Sequence, residues 1–298
     1  MKVAALDLGS NTFLCLICEV ANKKITEIYS DDVEIVRLGQ DLSKTKRFHP
    51  EALARAKNCL SKFKLIINQH RPERILAMAT SAARDAENKN ELFQICKDLG
   101  IPLEIITGSK EADITYRGSV SAQTSDQNRL VVDIGGGSTE FISGSGDQIL
   151  HSQSFDIGCV RLTEKYILNQ PTTDLEIQTC QTVIREKIQT LPNHSIAEIL
   201  AVAGTPTTLA AVEIGGFDTK KIDGYQMTLQ NLEQWLQKLQ PLSIDQKIEL
   251  GFPKGRADVI VVGIITLIET LKKFNLNKII VSTRGVRYGV ALELSDRI

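Results

Sequence analysis

The chain has few of the features that mark membrane-spanning or nucleic-acid-binding proteins. Aromatic residues make up only 5% of its 298 residues, and 35 Lys and Arg nearly balance 36 Asp and Glu. With a formal net charge of −1, no global field attracts nucleic acid or an anionic membrane, and neither is expected as a partner. The longest apolar stretch, residues 259–268, is far shorter than the roughly 20 residues of a membrane helix. We expect a buried helix there.

Cysteine and histidine are also sparse, with six and four residues. The cysteines do not show the spacing of a disulfide framework, and the histidines form no spaced cluster of metal ligands. Cys15 and Cys18 form a Cys-x-x-Cys motif within a strand-like run. Residues three apart in a strand point to opposite faces, so core cysteines are favoured over a redox or metal pair. The chain also begins directly with a strand rather than a signal peptide, which favours a cytoplasmic protein.

What the chain does have is a repeated strand–turn–strand pattern. Residues 130–134 form an apolar strand containing Asp133, followed by three glycines and a second alternating strand at 139–143. Residues 3–13 repeat this order around Asp7 and Gly9. A strand after the glycines argues against a dinucleotide-binding turn, in which a helix follows. An ordinary hairpin with an incidental Asp remains the alternative, but the repetition favours a duplicated unit.

The pattern along the chain predicts two α/β domains, 1–124 and 125–298, joined at a polar segment, 122–128. The last helix, 286–298, can return to the first domain. The predicted strands are 2–8, 13–20, 24–36, 74–79, 103–106, 130–134, 139–143, 147–155, 199–203 and 278–282. The predicted helices include 50–68, 90–99, 111–122, 159–168, 173–190, one opening at 205, and 286–294, with mainly helix between 205 and 278.

The same pattern occurs twice in the chain: three meander strands, followed by alternating helices and strands. This repetition indicates the duplicated ribonuclease H-like fold of actin, sugar kinases and heat-shock ATPases, with an interdomain cleft. Eight segments resemble, in order, the motifs of the exopolyphosphatase and guanosine pentaphosphate phosphatase family. They are 7–12, 79–88, 111–112, 133–140, 158–162, 204–205, 256–258 and 284–289. The chain looks like the family's short two-domain form, without its helical C-terminal extension.

The resemblance implies hydrolysis of terminal phosphoanhydride bonds of inorganic polyphosphate, with release of orthophosphate and dependence on Mg²⁺ or Mn²⁺. The alternative substrate is guanosine pentaphosphate, because the same anhydride chemistry removes its 5′-terminal phosphate. A nucleotide-binding switch, a kinase or a non-catalytic phosphate sensor of the same fold is a further alternative. A homodimer is compatible with the resemblance.

Four carboxylates are the candidate chemical groups. Asp7 and Asp133 lie near the ends of the two first strands, where they could hold a metal directly or through water, although turn-capping aspartates are the alternative. The resemblance implies that Glu111 is the catalytic base and that Glu140 orients water or metal. From the residues alone, Glu111 is equally a helix N-terminal Glu favoured by the helix dipole.

The candidate phosphate-binding groups are hydroxyls, backbone amides and arginines. The turns and the helix start that can hold anions contain Ser10, Asn11, Thr12, Gly135, Gly136, Gly137, Ser138, Thr139, Gly204 and Thr205. Arg84 and Asn88 are placed in a loop after a strand, and the resemblance implies that Arg84 clamps phosphate, a surface arginine being the alternative. Arg161, Arg256 and Arg287 are further candidates that could equally form structural ion pairs. Lys110 departs from the family pattern and could lower the pKa of Glu111 or bind phosphate.

Overall fold

The computed structural model describes residues 1–121, 126–193 and 195–297. The chain divides into two compact units, Met1–Gln123 with Gly285–Ile298, and Thr124–Arg284. The last helix therefore belongs to the first unit. Residues 122–125, which include most of the predicted hinge and the predicted domain boundary, lie outside the described residues.

The first unit begins with an antiparallel meander and continues with alternating helices and strands. Its strands are β1 (Lys2–Leu8), β2 (Thr12–Ala21), β3 (Lys24–Ile35), β4 (Arg74–Ala79) and β5 (Leu103–Ile105). Its helices before the second unit are α1 (Leu42–Thr45), α2 (Pro50–His70), α3 (Ser81–Asp85), α4 (Lys89–Asp98) and α5 (Gly108–Val120). Pro50 at the first position suits the start of α2, because proline lacks the amide hydrogen that would have no partner there.

The sheet of the first unit has the order β3-β2-β1-β4-β5 within the described residues. β1 pairs in parallel with β4, where Asp7 lies opposite Met78, and β4 pairs in parallel with β5. The carboxyl ends of these three strands therefore share one edge of the sheet. That edge holds the residues that follow each strand, and it is where the candidate side chains of this unit are found.

Successive residues along β2 point to opposite faces of the sheet, and each face is covered by an apolar cluster. Cys15 packs with Phe13 and Ile17 in one apolar cluster, whereas Cys18 packs with Leu16 in another. Both cysteines are buried free thiols, which confirms the prediction of core cysteines. Burial raises the pKa of each thiol to about 12, so both stay protonated at neutral pH.

The second unit repeats the meander and the alternation. Its strands are β6 (Asn128–Ile134), β7 (Thr139–Ser145), β8 (Gln148–Phe155), β9 (Glu198–Val202), β10 (Gln226–Thr228) and β11 (Lys278–Val281). Its helices are α6 (Cys159–Tyr166), α7 (Asp174–Ile188), α8 (Gly204–Ile214), α9 (Thr219–Ile222), α10 (Leu229–Leu239), α11 (Ile244–Glu249) and α12 (Ile260–Phe274). The chain ends with α13 (Val286–Asp296).

The second sheet has the order β10-β11-β9-β6-β7-β8. Read from β8 to β11, this is the strand order of the first sheet, with the same antiparallel and parallel pairings. The duplicated ribonuclease H-like α/β fold is therefore confirmed. The added strand β10 was missed because three residues are too few to show a period of two.

Helix α12 is buried along most of its length, which confirms the prediction for the apolar stretch at 259–268. In the described parts of the chain, no helix is both long enough and apolar enough to cross a membrane.

Two glycine contacts hold α13 against α5 in the first unit. A Cβ on Gly118 would lie 2.2 Å from the carbonyl oxygen of Gly285, and one on Gly289 would lie 2.0 Å from that of Ile114. Only glycine permits so close an approach of two helix backbones. Larger residues at these positions would separate the helices.

Candidate active site

The candidate base of the first unit, Glu111, lies in the first turn of α5 at the carboxyl edge of the sheet. Its Oε2 accepts a bond of 2.7 Å from Nη1 of Arg84, which also donates to the carbonyl of Ile106 at 3.0 Å. Glu111 is only 6% exposed. Burial raises its pKa above the ordinary Glu value although the Arg84 charge acts in the opposite direction. A buried carboxylate of this kind accepts a proton more readily near neutral pH.

Two details of this region differ from the predictions. Arg84 lies on the one-turn helix α3 and not in a loop, and α5 begins at Gly108, three residues earlier than predicted. Thr107 accounts for the earlier start, because its hydroxyl accepts a bond from the Lys110 amide and so caps the helix. The ammonium group of Lys110 lies 2.6 Å from Glu293 on α13. That ion pair engages the ammonium group that, from the sequence, could lower the pKa of Glu111 or bind phosphate.

The turn after β1 is tied to its surroundings through its backbone and one hydroxyl. Oγ of Ser10 accepts a bond of 3.1 Å from the Ala82 amide at the start of α3. The carbonyl of Asn11 accepts bonds from two amides of the segment after β3, and the amide of Gly9 donates to Thr12. All four predicted residues of this turn region, Asp7, Ser10, Asn11 and Thr12, are less than 10% exposed. The turn is therefore held in one conformation next to α3.

Asn88 has a structural role in this region. Its Oδ1 accepts a 2.7 Å bond from the amide of Phe48, and its Nδ2 donates to the carbonyl of Phe48 and to Glu91. Both ends of the amide side chain are thus used to fix the segment before α2. Phosphate binding by Asn88 stays a prediction, and it would require these bonds to be exchanged.

The two carboxylates of the second unit lie side by side. Asp133 on β6 is the direct antiparallel partner of Glu140 on β7. Directly opposed residues in antiparallel strands project from the same face of the sheet, with Cβ atoms about 5 Å apart. Glu140 is 1% exposed, and its Oε1 accepts a 2.6 Å bond from Ser154 on β8. The first unit has Leu14 opposite Asp7, so only the second hairpin carries such a pair.

The glycine turn between β6 and β7 has its carbonyls fixed by the start of α6. The amide of Cys159 donates to Gly135, those of Val160 and Arg161 donate to Gly136, and Nε of Arg161 donates to Gly137. In a trans peptide the N–H points opposite to the C=O. The amides that follow these three carbonyls, on residues 136, 137 and 138, therefore point away from α6. Successive amides aimed to one side form an anion-binding concavity.

Glycine is required where α6 meets this turn. A Cβ on Gly158 would lie 2.4 Å from the carbonyl carbon and oxygen of Gly136. The strand β7 follows the turn directly, so the dinucleotide-binding alternative, which needs a helix there, is excluded. Thr139 is completely buried, and its hydroxyl donates to the carbonyl of Ile157. Its hydroxyl therefore supports the hairpin.

The third predicted anion site lies at the start of α8, after β9. β9 and β6 are parallel neighbours, with Val202 opposite Asp133, so this helix start lies at the same sheet edge as the glycine turn. A Cβ on Gly204 would lie 1.9 Å from Cζ of Arg256, so the guanidinium of this residue lies directly over the helix N-terminus. Arg256 as a whole is only 7% exposed. Thr205 is 1% exposed and packs against α12.

The remaining candidate arginines are held by the protein itself. Arg287 forms a two-bond fork with Asp31, at 2.6 and 2.8 Å, and Tyr288 donates to the same carboxylate. This ion pair holds α13 to β3 within the first unit. Arg161, described above, donates to the glycine turn. The structural ion pair that the sequence left open as an alternative is observed for Arg287, whereas Arg161 donates to a backbone carbonyl and lies 3.9 Å from Asp156.

Within the described residues, no group of three or more Asp, Glu, His or Cys side chains could hold a metal ion unaided. Mg²⁺ commonly takes only one or two carboxylates and completes its octahedron with water and substrate phosphate. The pair Asp133 and Glu140, beside a turn suited to phosphate, fits that requirement. In the first unit, Asp7 is the one carboxylate that the sequence proposed as a metal ligand.

Sequence reasoning missed one side chain that holds a candidate carboxylate. It is Ser154, whose hydroxyl donates to Glu140. Ser154 lies in an ordinary alternating strand, which gave no signal.

A duplicated α/β fold that brings glycine turns and buried carboxylates to the edges of its sheets suits a protein that acts on phosphate groups. The family model described as the Ppx/GppA phosphatase family matches residues 16–298. The chain belongs to this family, whose members are phosphatases.

Relatives of known identity agree with this assignment. An exopolyphosphatase 2 of Mycobacterium tuberculosis is 34% identical, over 99% of this chain and 98% of the relative. Among solved structures, an exopolyphosphatase from Cytophaga hutchinsonii has a TM-score of 0.90 at 28% identity, covering 100% of this chain and 99% of that one. The PPX-GPPA enzyme of Aquifex aeolicus has a TM-score of 0.84 at 28% identity, covering 98% and 99%.

Proposed function

We propose that the protein is a Mg²⁺-dependent exopolyphosphatase that hydrolyses the terminal phosphoanhydride bond of inorganic polyphosphate and releases orthophosphate. The observation that carries this proposal is the set of bonds that fixes the carbonyls of Gly135, Gly136 and Gly137, next to two buried carboxylates. From these bonds we infer that the amides at residues 136–138 point together to the other side of the turn. Oriented amides bind phosphate oxygens without a cost of reorganisation during the reaction. The name of the Mycobacterium tuberculosis relative supports polyphosphate as the substrate.

In the second unit, phosphate binding is assigned to backbone amides and to one arginine. The amides of Gly136, Gly137 and Ser138 would each donate to a phosphate oxygen. Arg256 adds a full positive charge at the start of α8, where the helix dipole already favours an anion. The Arg256 guanidinium and the positive end of the α8 dipole lie close together, and a bound phosphate would stabilise both.

Asp133 and Glu140 are the proposed ligands of Mg²⁺, with Asp7 a further candidate and Mn²⁺ an alternative metal. When bound, the metal would neutralise charge on the phosphate oxygens. Ser154 keeps Glu140 oriented through its 2.6 Å bond.

In the first unit, Glu111 is the proposed acceptor of the proton that the attacking water loses. Its second oxygen, Oε1, is not the atom that receives the Arg84 bond, so it can face the water while Oε2 is held. Arg84, whose side chain is 25% exposed, presents a guanidinium whose remaining donors suit a phosphate oxygen. Positioning and charge stabilisation are the main requirements of phosphoryl transfer.

The test is a time course of free phosphate release by the pure protein from long-chain polyphosphate and, separately, from guanosine pentaphosphate. We expect release from polyphosphate with Mg²⁺, and none with EDTA. Turnover of the nucleotide alone would assign the alternative substrate. Formation of ADP from ATP with a phosphorylated acceptor would indicate a kinase, and binding without turnover of either substrate would indicate a sensor.

Two properties predicted from the sequence belong to this proposal. The buried, free state of all six cysteines is consistent with a cytoplasmic protein, where thiols stay reduced. Fractionation of cells followed by immunoblotting tests the location. Light scattering coupled to size-exclusion chromatography tests the predicted homodimer.

A further inference from the structure

Residues 36–40, the segment after β3, lie against the turn after β1. β3 ends at Ile35, the strand partner of Thr12, so the segment begins at the carboxyl edge of the first sheet. Three of its amides, on residues 36, 37 and 39, donate to carbonyls of the turn at 2.8 or 2.9 Å. The acceptors are Asn11, for two of these bonds, and Ser10. The position of the turn is therefore coupled to that of the segment.

Packing adds to this coupling. Leu38 is completely buried and Val36 is 2% exposed, and both belong to an apolar cluster of the first unit. Gly39 packs so closely against the turn that an added Cβ would lie 3.3 Å from Cβ of Ser10. The segment therefore has little room to move independently of the turn.

The other side of the segment is held by Arg55 on α2. Nε of Arg55 donates to the carbonyl of Val36 at 2.7 Å. Its Nη2 donates to Oε1 of Gln40 at 2.8 Å and, in a longer bond of 3.4 Å, to the carbonyl of Arg37. A planar guanidinium presents its donors in a fixed geometry. One side chain therefore fixes the path of the segment from residue 36 to residue 40.

From the turn, the bonds continue to the candidate active groups. Ser10 takes part twice, because its carbonyl accepts the Gly39 amide and its Oγ accepts the Ala82 amide, at 3.1 Å. Ala82 lies at the start of α3, the helix that carries Arg84, and Arg84 pairs with Glu111. A shift of the segment would therefore displace the turn and the helix that presents Arg84.

We infer that Arg55 is a positioning residue, which holds residues 36–40 and through them sets the placement of the turn after β1 and of Arg84. The inference rests on the proposed function, which assigns a phosphate contact to Arg84. A misplacement of about 1 Å caused by a substitution far from the chemistry can cost about 100-fold in rate. Arg55 acts in this way, at a distance from the reacting atoms.

The experiment compares wild type, Arg55→Met and Arg55→Lys in steady-state phosphate release from polyphosphate with Mg²⁺. Methionine keeps an unbranched side chain and removes every donor. We expect the KM of Arg55→Met to rise about 10-fold, with a smaller fall in kcat, because groups that contact phosphate are displaced. Lysine keeps the charge but cannot reproduce the planar fork. The KM of Arg55→Lys should therefore also stay several-fold above the wild-type value.

Hydrogen exchange measured by NMR reports the coupling without any assay of activity. The amides of residues 36, 37, 39 and 82 donate to the turn after β1. In Arg55→Met they should exchange about 10-fold faster than in wild type, the effect of weakening one hydrogen bond. The amides of α12, in the second unit, should exchange at the wild-type rate.

Arg74→Met is the matched control. Arg74 is a half-buried arginine of the same unit and also donates to a backbone carbonyl, that of Leu294 at 3.3 Å. It lies at the amino end of β4, the opposite edge of the sheet. Its replacement should lower the melting temperature without raising KM.

A wild-type KM in Arg55→Met, or unchanged exchange of the four amides, would overturn the inference. A wild-type KM in Arg55→Lys would also overturn it, because the charge and not the fork would then be the cause. If the methionine variant does not fold, the lysine variant provides the same two measurements.

Failure of this inference can be told apart from failure of the proposed function. If the wild-type protein releases no phosphate from polyphosphate or from guanosine pentaphosphate, the proposed function is wrong, and so is the role of Arg55. If the wild type is active and Arg55→Met is unimpaired, only the role of Arg55 is wrong.

Discussion

Replacing Glu111 by Gln tests the assignment of the proton acceptor most directly. Gln keeps the size of the side chain and can still accept a bond from Arg84, but it cannot take up a proton. Loss of a positioned general base costs about 10²- to 10⁴-fold in rate. We therefore expect kcat for phosphate release to fall at least about 100-fold, with a much smaller change in KM, since phosphate binding is assigned to other groups.

The same substitution has a predicted effect on stability, and its sign follows from the raised pKa of Glu111. The folded protein binds the Glu111 proton more tightly than the unfolded chain does, so this group loses stabilising effect as the pH rises through that range. Gln does not titrate. The free energy of unfolding of Glu111→Gln, relative to wild type, should therefore increase from about pH 4 towards neutral pH, where wild type must keep a buried charge.

Urea titrations at several pH values measure this difference, and a free-phosphate assay measures kcat. The matched control is Glu269→Gln, because Glu269 is a buried carboxylate, 2% exposed, paired with Arg185 away from the candidate site. It should keep its activity. Activity of Glu111→Gln within 10-fold of wild type would refute the assigned role, and a relative stability that fell with rising pH would refute the electrostatic argument.

Three further substitutions test the surrounding structure. Gly158→Ala places a Cβ 2.4 Å from the backbone of Gly136, so the glycine turn must shift and KM should rise at least several-fold in the phosphate assay. Gly204→Ala displaces the guanidinium over the start of α8 and should likewise raise KM, with little change in circular dichroism. Arg287→Met leaves Asp31, whose side chain is 13% exposed, without the two bonds of its arginine partner. The free energy of unfolding should fall by about 3 kcal/mol and the melting temperature by several degrees; an unchanged melting temperature would contradict this reasoning.

Much of the local structure is determined by the sequence alone. The repeated order of strand, Asp and Gly around Asp7 and Asp133 predicted the two equivalent hairpins, because alternation and glycine act over a few neighbouring residues. The same local rules placed α2, α7 and α12. The order of motifs also predicted the family, since those segments carry its pattern in sequence.

Other features depended on contacts between distant segments, which no local pattern reports. The partners of Lys110 and Arg287 are 183 and 256 residues away in the chain, on Glu293 and Asp31. Each cation was a phosphate candidate in sequence, and each is engaged by a carboxylate that only the packing of α13 brings near.

The environment of Glu111 shows the same division most clearly. The sequence placed it at a helix start, where the helix dipole alone would favour the charged carboxylate. Burial and the bond from Arg84 arise only when the segments after β4 and β5 meet at one sheet edge. Desolvation then outweighs the nearby positive charge and raises the pKa. Tertiary structure decides this balance, because burial is a property of the whole fold.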